Sequence, residues 1–425
     1  MAAAFSLSWP GSYARPSPGN TSSTQQHDTP NKGDRTMIDF SIPADLAAER
    51  DRVRQFVIDK IVPYERDPRL TSHGPNDELR QELVELARSA QLLTIQAPVE
   101  LGGRGLSHIE QAVLYEAAGW STLGPVAMNC AAPDEGNMFL LSKVADAEQA
   151  DRYLMPVIDG RQRSVFAMTE PDGAGSDPDQ LATTATFDGE NFTINGRKWL
   201  ITGADGARTW IIMARLEANP HLPEGPTLFL TDGNAPGIVV ERTMNTMDRN
   251  YVGGHGVVRF EDLVLPKESV VGETGQALRY AQLRLAPARL THCMRWLGAA
   301  ERAQSIAVEH AKTRTAFGRP IGEHEGVSFL LADNEIALHQ CRLTIWHACW
   351  LMDQGHKARH ESSIAKSSVS EELFRVADRC VQVLGGIGIS DETVVEMIFR
   401  DMRAFRLYDG PTEVHKWAIG RRVLR

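Results

Sequence analysis

The sequence is short of the features that mark several large protein classes. Its five cysteines, Cys130, Cys293, Cys341, Cys349 and Cys380, form no CxxC pair and no disulfide-like spacing, which points to a reduced intracellular compartment. No apolar run approaches the roughly 18 residues that a membrane span needs. Positive charge is in deficit: the formal net charge of −10 argues against sequence-independent affinity for nucleic acid, which needs a cationic surface. Gly102, Gly103 and Gly105 make no dinucleotide fingerprint, because the spacing and a preceding strand are both missing. His356 and His360 are four apart but have no third ligand and no HExxH context. They read as a solvated helix face, and no metal is expected.

What is present is a chain of 425 residues, enough for two or three domains with sizeable cores. Residues 1–36 are rich in Ser, Pro, Gly and Thr and lack apolar periodicity, so they are expected to be a disordered extension. They hold no h-region and no amphipathic basic helix, and Met37 directly precedes patterned sequence. The expected location is cytoplasmic, or the mitochondrial matrix if the extension is a transit peptide. From 37 to 164 apolar residues recur at helical spacing, as in Leu46, Val53, Phe56, Val57 and Ile61. The stretches 82–92, 109–118 and 138–158 repeat that period.

Residues 165–272 change character to short alternating runs. Asp188-Gly189 and Asn195-Gly196 are tight-turn signals between them. No helix-length pattern separates the runs, so an antiparallel barrel or sandwich is expected rather than a βαβ sheet, with the barrel preferred. From 273 to 425 the helical period returns over 281–312, 327–354, 362–384 and 394–405, the pattern of a four-helix bundle. The expected fold is α+β and mostly α: N-terminal helical domain, middle barrel, C-terminal bundle.

At the head of the middle region, residues 166–177 read FAMTEPDGAGSD. An apolar run enters a turn-forming cluster whose glycines leave N–H groups unshielded, flanked by the hydroxyls of Thr169 and Ser176. Such a surface suits a flat polar heterocycle and its phosphates, or is an ordinary surface loop. Motifs elsewhere decide for the first. PVELGGRGLS from Pro98, DRYLMPVIDGRQRSVFAMTEP from Asp151, FEDLVLPKESVVGETGQ from Phe260, RTAFGRPIGEHEGV from Arg314 and VQVLGGIGI from Val381 keep one order over nearly the whole chain. In these motifs the chain resembles the acyl-CoA dehydrogenases, FAD enzymes that desaturate acyl-CoA thioesters between the α and β carbons.

The resemblance implies roles residue by residue. Phe166, Met168 and Thr169 match positions along the flavin ring, and Ser176 one between flavin and the CoA pyrophosphate. Leu200 and Thr202 match positions on the other flavin edge. The family often has Trp where Leu200 stands, and Trp199 is one residue early. Neighbouring strand residues face opposite ways, so Trp199 is not expected to replace it. Arg314, Phe317, Gln382, Gly385 and Gly386 match residues reaching the adenine-diphosphate end of a neighbouring subunit's FAD. Arginine suits a pyrophosphate because its guanidinium is planar and permanently charged. Shared sites imply a homo-oligomer, a dimer or the tetramer common in the family, with electron-transfer flavoprotein as acceptor and a place in fatty acid β-oxidation. Thr412 and Glu413 match positions near the flavin phosphates, and Arg289 one near the CoA-side acyl tunnel.

The base is read at Asp409, in RLYDGPTEVH from Arg406. Most members resemble YEGT here, with Glu removing the α-proton; this chain has YDGP. The base residue's own N–H and a flavin hydroxyl hold the thioester oxygen in the family, and Gly410 adjoins that contact. Asp is one methylene shorter than Glu, a displacement of roughly 1 Å that can cost about a hundredfold in rate if uncompensated. The DGPxEVH pattern and the longer TEPDGAGSD spelling resemble a subgroup whose animal members are fused to a kinase-like domain and act in hydroxyacyl-CoA breakdown. The alternative within the fold is a flavoprotein oxidase similar to nitroalkane oxidases, which also use Asp. A flavin-retaining, DNA-associated relative is disfavoured by the acidic charge.

Overall fold

The computed structural model describes residues 40–425 except 174, 176, 178 and 179. The expected extension, residues 1–36, and Ser176 therefore lie outside the described residues. Mostly helical, the chain runs from N-terminal helices through a strand-rich middle to a second helical region. The N-terminal helices are α1 (Ala44–Phe56), α2 (Asp77–Ser89), α3 (His108–Ala118) and α4 (Asp134–Val144). Sequence-local chemistry starts two of them. Asn76 accepts from Leu79 N at 2.9 Å, and Ser107 and Glu110 form a reciprocal capping box. The stretch 138–158, read as one helix, instead breaks after Val144, where Ala145 is extended.

The middle sheet comprises β1 (Ser164–Ala167), β2 (Thr184–Phe187), β3 (Asn191–Thr202), β4 (Thr209–Leu216), β5 (Gly225–Asp232), β6 (Ile238–Met244) and β7 (His255–Pro266). It is mixed, not antiparallel. β1 pairs in parallel with the first half of β4, and β2 in parallel with its last two residues, while β5 runs antiparallel along the whole of β4. From β4 the ladder continues β2-β3-β7-β6. No pairing joins β5 to β6 among the described residues, and the antiparallel arrangement expected from sequence gives way to a curled, mixed sheet. Parallel pairs join strands far apart in sequence, and local turn signals do not report them. Asn195-Gly196 likewise makes no hairpin turn. The Asn195 side chain exchanges hydrogen bonds with Asp262, 2.8 and 3.0 Å, and the pair forms a bulge inside the continuous strand β3.

β4 is apolar without alternation because both its faces are covered. Trp210, Ile212 and Ala214 join the core on one face, with Phe192 and Phe260. Ile211 and Met213 pack on the other against Leu140 and Leu141 of α4. The C-terminal region holds α5 (Ala277–Thr313), α6 (Glu325–Asp353), α7 (Arg359–Leu384), α8 (Val395–Phe405) and α9 (Thr412–Val423). The last exceeds the four helices read from sequence. Helices of both regions share one core, in which Val53, Leu83 and Leu114 are clustered with Leu297, Leu338 and Leu373. At the crossing of α3 with α5 the backbones touch. A Cβ on Gly119 would lie 2.0 Å from Arg295 O, and one on Gly298 2.0 Å from Glu116 O. No helix among the described residues is long and apolar enough to cross a membrane.

Candidate active site

Asp409 stands just past the end of α8, at a positive φ of 53°, followed by Gly410 at 99°. Asp is one of the few non-glycine residues enriched in this region. Gly410 has no such latitude, since a Cβ there would come within 2.8 Å of His415 Nε2. The turn is held from three helices. Arg289 Nε of α5 donates to the Asp409 carbonyl at 3.0 Å, and His415 Nε2 of α9 lies 3.3 Å from the same oxygen. Lys366 of α7, fully buried, donates to the carbonyls of Phe405 and Gly410 at 2.7 and 3.3 Å. No hydrogen bond among the described residues uses the Asp409 N–H. The carbonyl side of this residue is clamped, while its N–H stays unengaged by the described residues.

The carboxylate is 18% exposed, with Oδ2 3.2 Å from His292 Nε2. Arg289, His292 and Arg295 follow at intervals of three on α5 and so share one face. Arg295 Nη2 lies 3.1 Å from His292 Nδ1, and its Nη1 donates to Cys130 O at 2.7 Å and faces Glu135 Oε1 at 3.3 Å. The Tyr408 ring packs against the His292 ring, centroids 4.6 Å apart and planes tilted by 49°, and its hydroxyl accepts from Trp296 Nε1 at 2.6 Å. Burial raises the pKa of the Asp409 carboxyl, but contact with His292 and the charges of Arg284 and Arg289 outweigh it and hold the group below the usual carboxylate range. Burial and the Arg295 charge push His292 down.

His415 has a consequence for stability. Burial, then the Arg289 and Lys366 charges, push its imidazole down to about 4. In an unfolded chain the value is ~6.5, so between these two the unfolded state binds a proton that the fold refuses. This contribution is complete above about pH 6.5 and is lost as pH falls towards 4, by roughly 1–3 kcal/mol. Urea midpoints measured at pH 7 and 4.5 should show the loss, and His415→Gln should reduce the difference between them.

A cavity of about 40 Å³ is lined among others by Thr122, Asn250, Tyr251, His292, Arg295 and Trp296. Thr122 Oγ1 and Asn250 Nδ2 are buried there without a hydrogen-bond partner. Orphans of this kind are uncommon unless a ligand or water meets them.

The residues read as a flavin wall come together between β1 and β3. Thr169 Oγ1 donates to Trp199 O at 2.6 Å, and Trp199 N to Thr169 O at 3.1 Å. Fully buried Lys198 donates to Met168 O at 3.0 Å and to Glu170 at 2.8 Å, and Glu170 also accepts from Ala182 N and Thr183 N at 2.6 and 2.9 Å. Phe166 lies under the Arg284 guanidinium, 4.6 Å from its ring centroid. The strand register shifts between Lys198 and Ile201, and Leu200 takes φ 52° with 41% of its surface exposed. The alternation that separated Trp199 from Leu200 therefore does not hold at this bulge. Thr202 Oγ1 lies 3.0 Å from His255 Nδ1, whose Nε2 faces Asp248 at 3.0 Å.

Other predicted residues lie elsewhere. Arg314 is the C-cap of the helix that carries Arg289, which at ~1.5 Å per residue puts the two roughly 37 Å apart. Arg314, Phe317, Gln382, Gly385 and Gly386 are all exposed, and open space lies over both glycines. Thr412 is buried and gives its hydroxyl to Glu371 at 2.8 Å, while Glu413 is exposed. Sequence reasoning missed His292, Arg295, Lys366 and His415. The available signal was the spacing of three from Arg289 to Arg295 within the otherwise largely apolar stretch 285–300.

Family models of the N-terminal, middle and C-terminal domains of acyl-CoA dehydrogenases match residues 44–161, 165–263 and 275–424. A probable acyl-CoA dehydrogenase of Mycobacterium tuberculosis, FadE2, is 35% identical over 91% of this chain and 97% of its own. Mouse acyl-CoA dehydrogenase family member 10 is 33% identical over 88% of this chain, which spans only 36% of that longer protein. The butyryl-CoA dehydrogenase of Megasphaera elsdenii superposes with a TM-score of 0.81 at 26% identity, covering 91% of this chain and all of its own. The chain belongs to the acyl-CoA dehydrogenase family and is an FAD-dependent oxidoreductase.

Proposed function

We propose that this protein desaturates an acyl-CoA thioester between Cα and Cβ, with Asp409 as the base and electron-transfer flavoprotein as the acceptor of its electrons. The observation that carries the reading is the setting of Asp409: a sheltered carboxylate whose pKa is held below the usual range by His292, Arg284 and Arg289, beside a backbone N–H that no hydrogen bond among the described residues uses. One residue can thus take the α-proton and donate to the thioester oxygen, which gains negative charge as the proton leaves. A preorganised donor of this kind lowers a barrier by about 3 kcal/mol. The electron pair of the broken Cα–H bond forms the double bond, and a hydride leaves Cβ. The clamp from Arg289 and His415 offsets the shorter reach of Asp by fixing where its backbone stands.

The residues present fit FAD. An exposed leucine at positive φ, bordered by Met168, Thr169 and Thr202, offers an apolar patch with polar edges to a flat ring. Bound there, FAD supplies the two-electron acceptor for the β-hydride. Thr202 faces His255, and its oxygen keeps lone pairs for an N–H of the ring. Arg314 stands at the far end of its helix from Arg289, and Phe317, Gln382, Gly385 and Gly386 are exposed as it is. They suit the adenine-diphosphate end of a second subunit's FAD, in a homodimer or tetramer. The hydroxyl of Thr412 is occupied by Glu371, so its part near the phosphates would fall to its backbone, with Glu413 at the rim. Ser176 and Arg289 are assigned to the CoA side.

Anaerobic mixing of the purified flavoprotein with a panel of acyl-CoAs should bleach the flavin with at least one thioester. Failure with every thioester, together with rapid oxygen consumption on nitroethane, would replace this reading with a nitroalkane oxidase.

A further inference from the structure

We infer that His292 is a positioning residue for proton abstraction: a neutral imidazole, locked by Arg295 with its proton on Nε2, that holds Asp409 Oδ2 and leaves Oδ1 to meet the substrate. It rests on Asp409 being the base. The guanidinium has donors only, so a contact of 3.1 Å from Arg295 Nη2 makes Nδ1 the acceptor and puts the ring proton on Nε2, the atom 3.2 Å from the carboxylate. Arg295 cannot turn away readily. Its Nη1 is tied to Cys130 O and Glu135, and Glu135 also accepts from the Thr291 hydroxyl. Glu135, Arg295, His292 and Asp409 thus form one chain of contacts, its first three members almost wholly buried.

The groups around His292 support a fixed neutral ring. From its own helix come Arg295 and, near the carboxylate, Arg284 and Arg289. Glu135 of α4 faces it through Arg295, and Tyr408 and Asp409 cover it from the turn after α8. Adding a proton at Nδ1 would set an N–H against the Arg295 guanidinium. His292 therefore cannot take the proton from Asp409. Its work is to aim one carboxylate oxygen and to lower the basicity of the other by a dipole rather than a full charge.

The test uses two variants of the FAD-loaded protein. His292→Leu removes both contacts. His292→Gln keeps an oxygen for Arg295 and an N–H for Asp409, and cannot ionise. The readouts are FAD content, thermal midpoint, exchange of the α-proton of an acyl-CoA with deuterated water, and the acidic limb of the pH profile for that exchange. Asp409→Asn is run beside them; if it exchanges normally, the assignment of the base fails, whatever His292 does. With the base established, His292→Leu should exchange at least about a hundredfold more slowly, with FAD retained and the acidic limb moved to higher pH. Gln should restore both to near wild type. Normal exchange in His292→Leu, slow exchange with an unmoved limb, or a Gln variant that behaves like Leu would each overturn the proposal.

Discussion

Asp409→Asn should bind FAD normally and lose flavin reduction by acyl-CoA by at least about two orders of magnitude, the usual scale of general-base catalysis. The substitution is nearly isosteric: the His292 contact runs to one side-chain oxygen, which Asn retains, and the other neighbouring contacts run to the backbone. Arg289 and His415 hold the Asp409 carbonyl, and Lys366 holds those of Phe405 and Gly410. Asn is also well suited to the positive φ of 53°. Only the proton acceptor changes, so a folded yellow protein that is not bleached is the expected outcome in stopped-flow absorbance. Reduction at a near-normal rate would show that another group takes the proton.

Lys198→Met should destabilise the protein by about 3–5 kcal/mol, the range for removing one partner of a buried ion pair. Lys198 is fully buried and meets Glu170 at 2.8 Å; burial pulls its ammonium down to about 8, against the pull of that carboxylate. Without the ammonium, Glu170 keeps two backbone donors, Ala182 N and Thr183 N, but no countercharge. The Met168 carbonyl loses a donor as well. Since these bonds tie 166–170 to β3, FAD affinity should fall together with stability. Urea denaturation and a flavin-release titration would measure the two effects, and an unchanged urea midpoint would show that the pair contributes nothing net.

Much of the architecture was legible in the chain because periodicity reports directly which faces are buried. The 3.6-residue pattern found the N-terminal helices and the long helices of the C-terminal region, and the Asn76 and Ser107 caps act within a few residues of themselves. The shared core was not legible: an apolar stripe tells that a helix is covered, not that Leu83 and Leu114 are clustered with Leu297 and Leu373. The parallel pairs of β4 were hidden for a related reason, since the partner strands come from distant parts of the chain.

For the site, the linear chain was enough for the family, through its ordered motifs, and for YDGP standing where most members resemble YEGT. How Asp409 is held depends on packing between helices. Its clamp comes from Arg289, Lys366 and His415 on three helices, and the tautomer of His292 depends on Arg295 and, behind it, Glu135. The physical reason is that a proton's position on an imidazole, or the direction of a carboxylate, is set by donors within about 3 Å. Those donors come from segments that the linear order keeps far apart.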